Sequence, residues 1–254
     1  MTPLAIELVP CLSDNYAYLV HDKDAGLCAV VDPSEGPPVK KALAAKGWKL
    51  THILNTHHHF DHTGGNVALK EEFGAEIVGP GKDRDRFAGL DTGVDESTGW
   101  SFGGRKVRVM EIPAHTSSHI AFIVDDAAFT GDTLFAMGCG RLFEGTPAVM
   151  WSSLSKLMTL PDATRIFCGH EYTQSNGRFA LTLEPSNAAL VTRMRDVDAA
   201  RAKGWPTIPS TLGLEKQTNP FLRPNSPELR KTLGMENASD VQVFGETRKR
   251  KDNF

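Results

Sequence analysis

The 254-residue chain has no window approaching 18 consecutive apolar residues, which argues against a membrane-spanning helix. Its opening, MTPLAIELVP, places Glu7 where a secretion signal needs its apolar core, so a cytoplasmic protein is expected. Cysteine is scarce: Cys11, Cys28, Cys139 and Cys168 stand singly, without a C-x-x-C pair. That spacing argues against a disulfide framework or a structural zinc knuckle, and the four read as small buried apolar residues. Basic charge is not in excess, with 28 Lys and Arg against 31 Asp and Glu and a net charge of -3. A duplex-binding protein draws most of its affinity from a basic stripe, so nucleic acid is not an expected partner. The local exception is Arg248-Lys249-Arg250-Lys251. No G-x-x-x-x-G-K-[ST] phosphate loop occurs. What remains is an ordinary globular composition, 40% hydrophobic and 23% charged, in a chain long enough for one large domain or two small ones.

Short apolar runs alternate with helical patterns through the first two thirds. IELV, YAYLV, CAVV and THILNT read as strands, with a helix over about 37–46 between the last two. A second helix is expected from Thr63, as cap, to Phe73, with Gly74 ending it and EIVG following as a strand. Residues 80–99, rich in Gly and Asp, read as a loop. KVRVMEI, IAFIV, AAFT and RIFC are further strands, and Val149 to Leu160 a helix. After His170 only helical patterns remain, over about 176–203, 228–233 and 239–251. The expected organisation is an α/β domain over 1–173 and a smaller helical domain over 174–254. The strand ends Val30-Val31-Asp32 and Phe129-Thr130-Gly131-Asp132 look alike. An internally duplicated sheet and a coincidence of two strand-Asp turns explain this equally well.

Five of nine histidines fall within THILNTHHHFDH, directly after an apolar strand. In an extended segment His57 and His59 project the same way, while Asp61 and His62 face a second point just beyond. One loop can thus feed two metal ions, at the carboxyl end of a strand where open α/β folds place their sites. Further strand ends supply His115, Asp132 and His170 as ligand candidates. Imidazole and carboxylate without thiolate suit a catalytic rather than a structural site. A carboxylate from Asp132 and a hydroxide can both bridge two ions, and the paired charges give hydroxide at neutral pH without a side-chain nucleophile. Zinc, iron and manganese all accept such ligands.

The THHHFDH motif, followed by His115, Asp132 and His170, resembles the metallo-β-lactamase superfamily. Within it, SDNYAYLV (13–20), GDTLFAMGCGR (131–141), CGHEYT (168–173), EPSNAAL (184–190), TNPFLR (218–223) and the terminal RKRKDNF are similar to the glyoxalase II family, and the likeness runs end to end. The resemblance implies an αββα sandwich followed by a helical C-terminal domain. It also implies hydrolysis of S-D-lactoylglutathione to D-lactate and glutathione by a metal-bridging hydroxide. Matched by motif, His57, His59 and His115 would hold one ion and Asp61, His62 and His170 the other, with Asp132 bridging. Asp61 and Asp132 would be the catalytic carboxylates, and two divalent ions, zinc before iron or manganese, the cofactors. Arg141, Phe143, Tyr172, Arg248 and Lys251 would meet the glutathione, although family members commonly carry lysine and tyrosine where this chain has Arg141 and Phe143. His58, His52, His21 and His119 are not ligands in this pattern. A monomer acting on a small-molecule thioester is expected. The rival readings are a mononuclear iron persulfide dioxygenase of the same superfamily, a metal-dependent nuclease and a non-catalytic metal scaffold.

Overall fold

Apolar residues in the first 31 positions build three antiparallel strands, β1 (Ala5–Cys11), β2 (Asn15–Asp22) and β3 (Leu27–Val31), in register through Ala5↔His21 and Leu19↔Val30. From β3 the sheet becomes parallel. A first helix, α1 (Gly36–Lys46), precedes β4 (His52–Leu54), and α2 (Phe60–Thr63) and α3 (Asn66–Phe73) precede β5 (Glu76–Pro80). A sixth strand, β6 (Thr92–Val94), closes the sheet in chain order. Val39, Leu43 and Leu69 from α1 and α3 pack on Val9, Leu19, Val30, Ile53 and Ile77 from one face of this sheet. Burying each such side chain contributes about 1.5–3 kcal/mol.

Four antiparallel strands follow: β7 (Trp100–Phe102), β8 (Arg105–Glu111), β9 (Ile120–Val124) and β10 (Ala127–Gly131). The Phe129 ring of β10 lies 5.7 Å from Tyr18 of β2, so side chains from the two sets of strands meet. Buried Arg105 ties the sets at one edge, donating to Asp22 at 2.8 Å, to Asp125 at 2.6 Å and to the Thr2 carbonyl.

The computed structural model describes residues 1–254. It divides into two compact units, Met1–Glu111 with Ser118–Gly131, and Ile112–Ser117 with Asp132–Phe254. The second unit holds the short hairpin β11 (Leu134–Phe135) and β12 (Gly138–Cys139), then α4 (Pro147–Leu157), capped by Thr146. An antiparallel pair, β13 (Arg165–Cys168) and β14 (Ser210–Thr211), brackets α5 (Thr173–Leu183) and α6 (Ala188–Arg201). The helices α7 (Leu212–Thr218), α8 (Pro227–Leu233) and α9 (Asp240–Asp252) complete the unit, the last opened by a Ser239–Gln242 capping box. Met137, Ala180, Leu190, Met194 and Val197 form one apolar cluster. Buried Glu215 is a polar centre: it accepts from Arg193 at 2.5 Å, from the Ser210 hydroxyl and from the Met137 amide at 2.8 Å.

Several expected elements differ. Thr63 ends α2 instead of capping a helix, and α3 begins only at Asn66. At the break the Gly65 amide donates to the Pro33 carbonyl at 2.8 Å, and the approach is so close that a Cβ on Gly64 would lie 2.5 Å from the Ser34 carbonyl and one on Gly65 2.8 Å from that of Pro33. The helix expected over 176–203 is two, because Pro185 interrupts it and Asn187 caps a new one through the Leu190 amide. The presumed loop over 80–99 contains β6, and α7 lies in Pro/Gly-rich chain read as irregular.

Candidate metal centre

In the first unit, parallel strand β4 delivers the chain at its carboxyl end into Asn55–Asp61. Asn55 donates to the His62 carbonyl at 3.0 Å and accepts from Asn66 at 2.7 Å, fastening the loop to the turn and helix that follow. Buried His57 donates from Nδ1 to the Thr56 hydroxyl at 3.0 Å, and its Nε2 lies 3.1 Å from His59 Nδ1. His62 donates from Nδ1 to Asp32 Oδ2 at 3.1 Å, which leaves its Nε2 3.5 Å from Asp61 Oδ2. Asn15 donates to both the carbonyl and the carboxylate of Asp61, at 3.0 and 3.1 Å, fixing that side chain. His58 turns away to Asp83, 3.0 Å from its Nδ1, and Asp83 is also held by Arg86. The His119 ring stacks on His57 at 4.6 Å.

In the second unit His115 donates from Nδ1 to the Arg141 carbonyl at 3.0 Å, and its Nε2 lies 3.5 Å from Asp132 Oδ2. The same carboxylate oxygen lies 3.2 Å from His170 Nε2. The backbone is strained here: Ala114 adopts φ 134°, a region that a residue with a Cβ rarely occupies. Gly140 is required, since a Cβ there would lie 1.8 Å from the Asp132 carbonyl oxygen and 3.1 Å from His115 Nδ1.

These separations suit a metal. Two donors each about 2.0–2.1 Å from a tetrahedral ion stand about 3.3 Å apart, and the four donor pairs measure 3.1, 3.5, 3.5 and 3.2 Å. The Nδ1 protons of His57, His62 and His115 each have an acceptor, which leaves Nε2 as the electron-pair donor. The sequence did not single out Asp32 as a site residue. With His57 and His62 it forms a buried trio whose ligand atoms lie within 4.8 Å of one another. Its likeness to Asp132 at a strand end was the available signal.

The residues expected to meet substrate all lie in the second unit. The Tyr172 ring stacks on His170 at 4.7 Å, nearly parallel. Phe143 is 61% exposed, its ring 5.2 Å from His115, and the Arg141 side chain is exposed. Arg248 is buried, donating to the Cys139 carbonyl at 2.8 Å and to Asp252 at 2.9 Å, with its guanidinium over Phe221. Lys251 donates to Ser175 at 3.2 Å and lies over Phe179 and Phe254. Burial, then the charges of Arg248 and Arg141, hold its amine below the usual lysine range.

Residues 13–170 match the model of the metallo-β-lactamase superfamily, and residues 171–254 that of the hydroxyacylglutathione hydrolase C-terminus. In fold, the chain is similar to ETHE1 from Myxococcus xanthus, with a TM-score of 0.65 and 23% identity over 98% of this chain and all of that one. A metallo-β-lactamase from Staphylococcus aureus gives 0.66 and 21% over 99% and 72%. Fold and His/Asp cluster together define a metallo-β-lactamase-fold protein with a divalent-metal site. Hydroxyacylglutathione hydrolases are much nearer in sequence: that of Methylococcus capsulatus is 52% identical over 99% of both chains, and that of Cereibacter sphaeroides 53% over 99% of this chain and all of its own. The chain belongs to the hydroxyacylglutathione hydrolase family.

Proposed function

We propose that the chain hydrolyses the thioester of S-D-lactoylglutathione, releasing D-lactate and glutathione. The observation that carries this is full-length similarity at about half identity to hydroxyacylglutathione hydrolases, together with the match of residues 171–254 to their C-terminal region. That match also favours thioester hydrolysis over persulfide oxidation by a mononuclear iron site. We assign catalysis to 1–173 and substrate binding to 174–254, aided by Arg141, Phe143 and Tyr172; the two family matches meet close by, at 170/171.

His57, His59 and His115 would hold one divalent ion and Asp61, His62 and His170 a second, with Asp132 shared. Supporting this, one Asp132 oxygen faces both His115 and His170, whereas Asp61 is paired with His62 and His57 with His59. Zinc fits nitrogen and oxygen donors at these separations. When bound, such ions supply Lewis acidity and lower the pKa of water toward neutrality. Asn15 holds the Asp61 carboxylate in place, and the Arg141 carbonyl orients His115. Arg141, Arg248 and Lys251 supply positive charge for an anionic tripeptide, with Arg248 held by Cys139 and Asp252 at that end of α9.

We place the protein in the cytoplasm as a monomer. Four buried free thiols and a glutathione substrate fit a reducing compartment. No helix is long and apolar enough to cross a membrane. The test incubates the purified chain with S-D-lactoylglutathione, with glutathione persulfide under oxygen, and with RNA. Loss of the thioester alone is expected; oxygen uptake with the persulfide, or RNA cleavage, would replace this reading.

A further inference from the structure

We propose that Asp32 is a positioning residue shared by both ions: one carboxylate that sets the tautomer of an imidazole in each ligand set. This rests on the reading above that His57 and His62 serve different ions. Asp32 directly follows β3 beside parallel β4, its amide donating to the Leu54 carbonyl at 2.9 Å, and its side chain is buried. Oδ1 accepts the Thr56 amide at 2.8 Å. Oδ2 accepts the Thr56 hydroxyl at 2.7 Å and His62 Nδ1 at 3.1 Å. A hydroxyl has one proton, and Thr56 gives it to Asp32, so toward His57 Nδ1 at 3.0 Å it can only accept. A continuous relay therefore runs His57 Nδ1–H to Thr56 O–H to Asp32, and His62 Nδ1–H to the same oxygen. Both rings keep the proton on Nδ1 and present the Nε2 lone pair.

The backbone makes the choice of aspartate specific. Asp32 has φ 47°, a conformation that Asn adopts as readily as Asp and Gly more readily still. Conformation alone would not select a carboxylate. The three groups facing the side chain are all donors, and only an acceptor on both oxygens satisfies them.

Asp32→Asn preserves the shape and reverses the polarity. With its oxygen kept on the Thr56 amide, the Asn nitrogen donates to the hydroxyl and to His62 Nδ1, and both rings must move their proton to Nε2. Two readouts follow: nitrogen-15 NMR of the histidine rings in the full-length chain after chelation, and Zn²⁺ affinity in competition with a chromophoric chelator. Asp32→Asn should switch both rings and weaken both ions by about 10–100-fold. Thr56→Val should switch His57 and weaken one ion only, and Thr56→Ser should behave as wild type. Retention of Nδ1–H in both rings of Asp32→Asn, a change confined to one ring, or equal weakening of both ions in Thr56→Val would overturn the shared anchor. If the wild type binds a single ion, the assignment of His57 and His62 to different ions fails; the ring tautomers in the metal-free chain still decide what Asp32 does.

Discussion

Cys139 and Cys168 lie within two residues of Arg141 and His170, yet their chemistry is suppressed by burial, which pushes their thiols up to about 11 and about 12. Burial thus disfavours the thiolate, the nucleophilic form, in both. Replacing either by serine should leave kcat within about tenfold of wild type, measured by thioester hydrolysis. Abolished turnover with metal content intact would instead require a covalent thiol-exchange route. Phe143 offers a second test at this scale. Its exposed ring beside His115 lacks a hydroxyl, and a net hydrogen bond to the tripeptide is worth about 0.5–1.5 kcal/mol. Phe143→Tyr should lower KM by roughly two- to tenfold with kcat nearly unchanged, because the contact is the same in ground and transition states. An unchanged KM would mean that the ring serves packing on His115 alone. Lys251, proposed to meet the substrate, carries a cost in stability. Its folded pKa lies below the ordinary 10.5, so the charged form opposes folding up to the folded value, and that cost is relieved as pH rises from there toward 10.5. Lys251→Met should raise KM and flatten the salt dependence of kcat/KM, while Tm measured at pH 7 does not fall by more than about 2 °C.

At the scale of elements, the sequence was most legible where one period persists. Helix α1 and strands β2, β3, β5, β9 and β10 fall where alternation or helical spacing put them, and Gly47 and Gly74 end α1 and α3 in the left-handed conformation. The two-residue strands β11, β12 and β14 carry too little pattern to read. The interruption at Gly64-Gly65 is set by carbonyls thirty residues earlier, which no local rule reports. The seven proposed ligands could be picked out because they cluster or follow strand ends. Asp32 also follows a strand end, but its role appears only when β3 and β4 lie side by side. Glu215 on α7 was invisible for the same reason: its partners come from α6, β14 and the β11–β12 turn. Glu215→Ala leaves Arg193 buried without its carboxylate and should cost about 3–5 kcal/mol, read as a lowered denaturation midpoint. A loss below 1 kcal/mol would mean that Thr218 and Ser210 satisfy Arg193 by themselves.

Taken whole, the molecule joins two sequence regions, 13–170 and 171–254, with separate family matches and an overall charge of only -3. The cations proposed for substrate contact are therefore local features, with Arg141 beside the β11–β12 hairpin and Arg248 and Lys251 in the last turns of α9. In the proposed reading the first region supplies all seven metal ligands, and the second supplies α9 and the residues packed around it. The central claim is that hydrolysis needs two ions joined through Asp132. The direct measurement is thioester hydrolysis during stepwise addition of Zn²⁺ to the chelator-treated wild-type chain, with Asp132→Ala in parallel. The account predicts activity that reaches its plateau at two equivalents per chain and falls by at least about 100-fold in Asp132→Ala. Full activity at one equivalent, unchanged by the second, would contradict it.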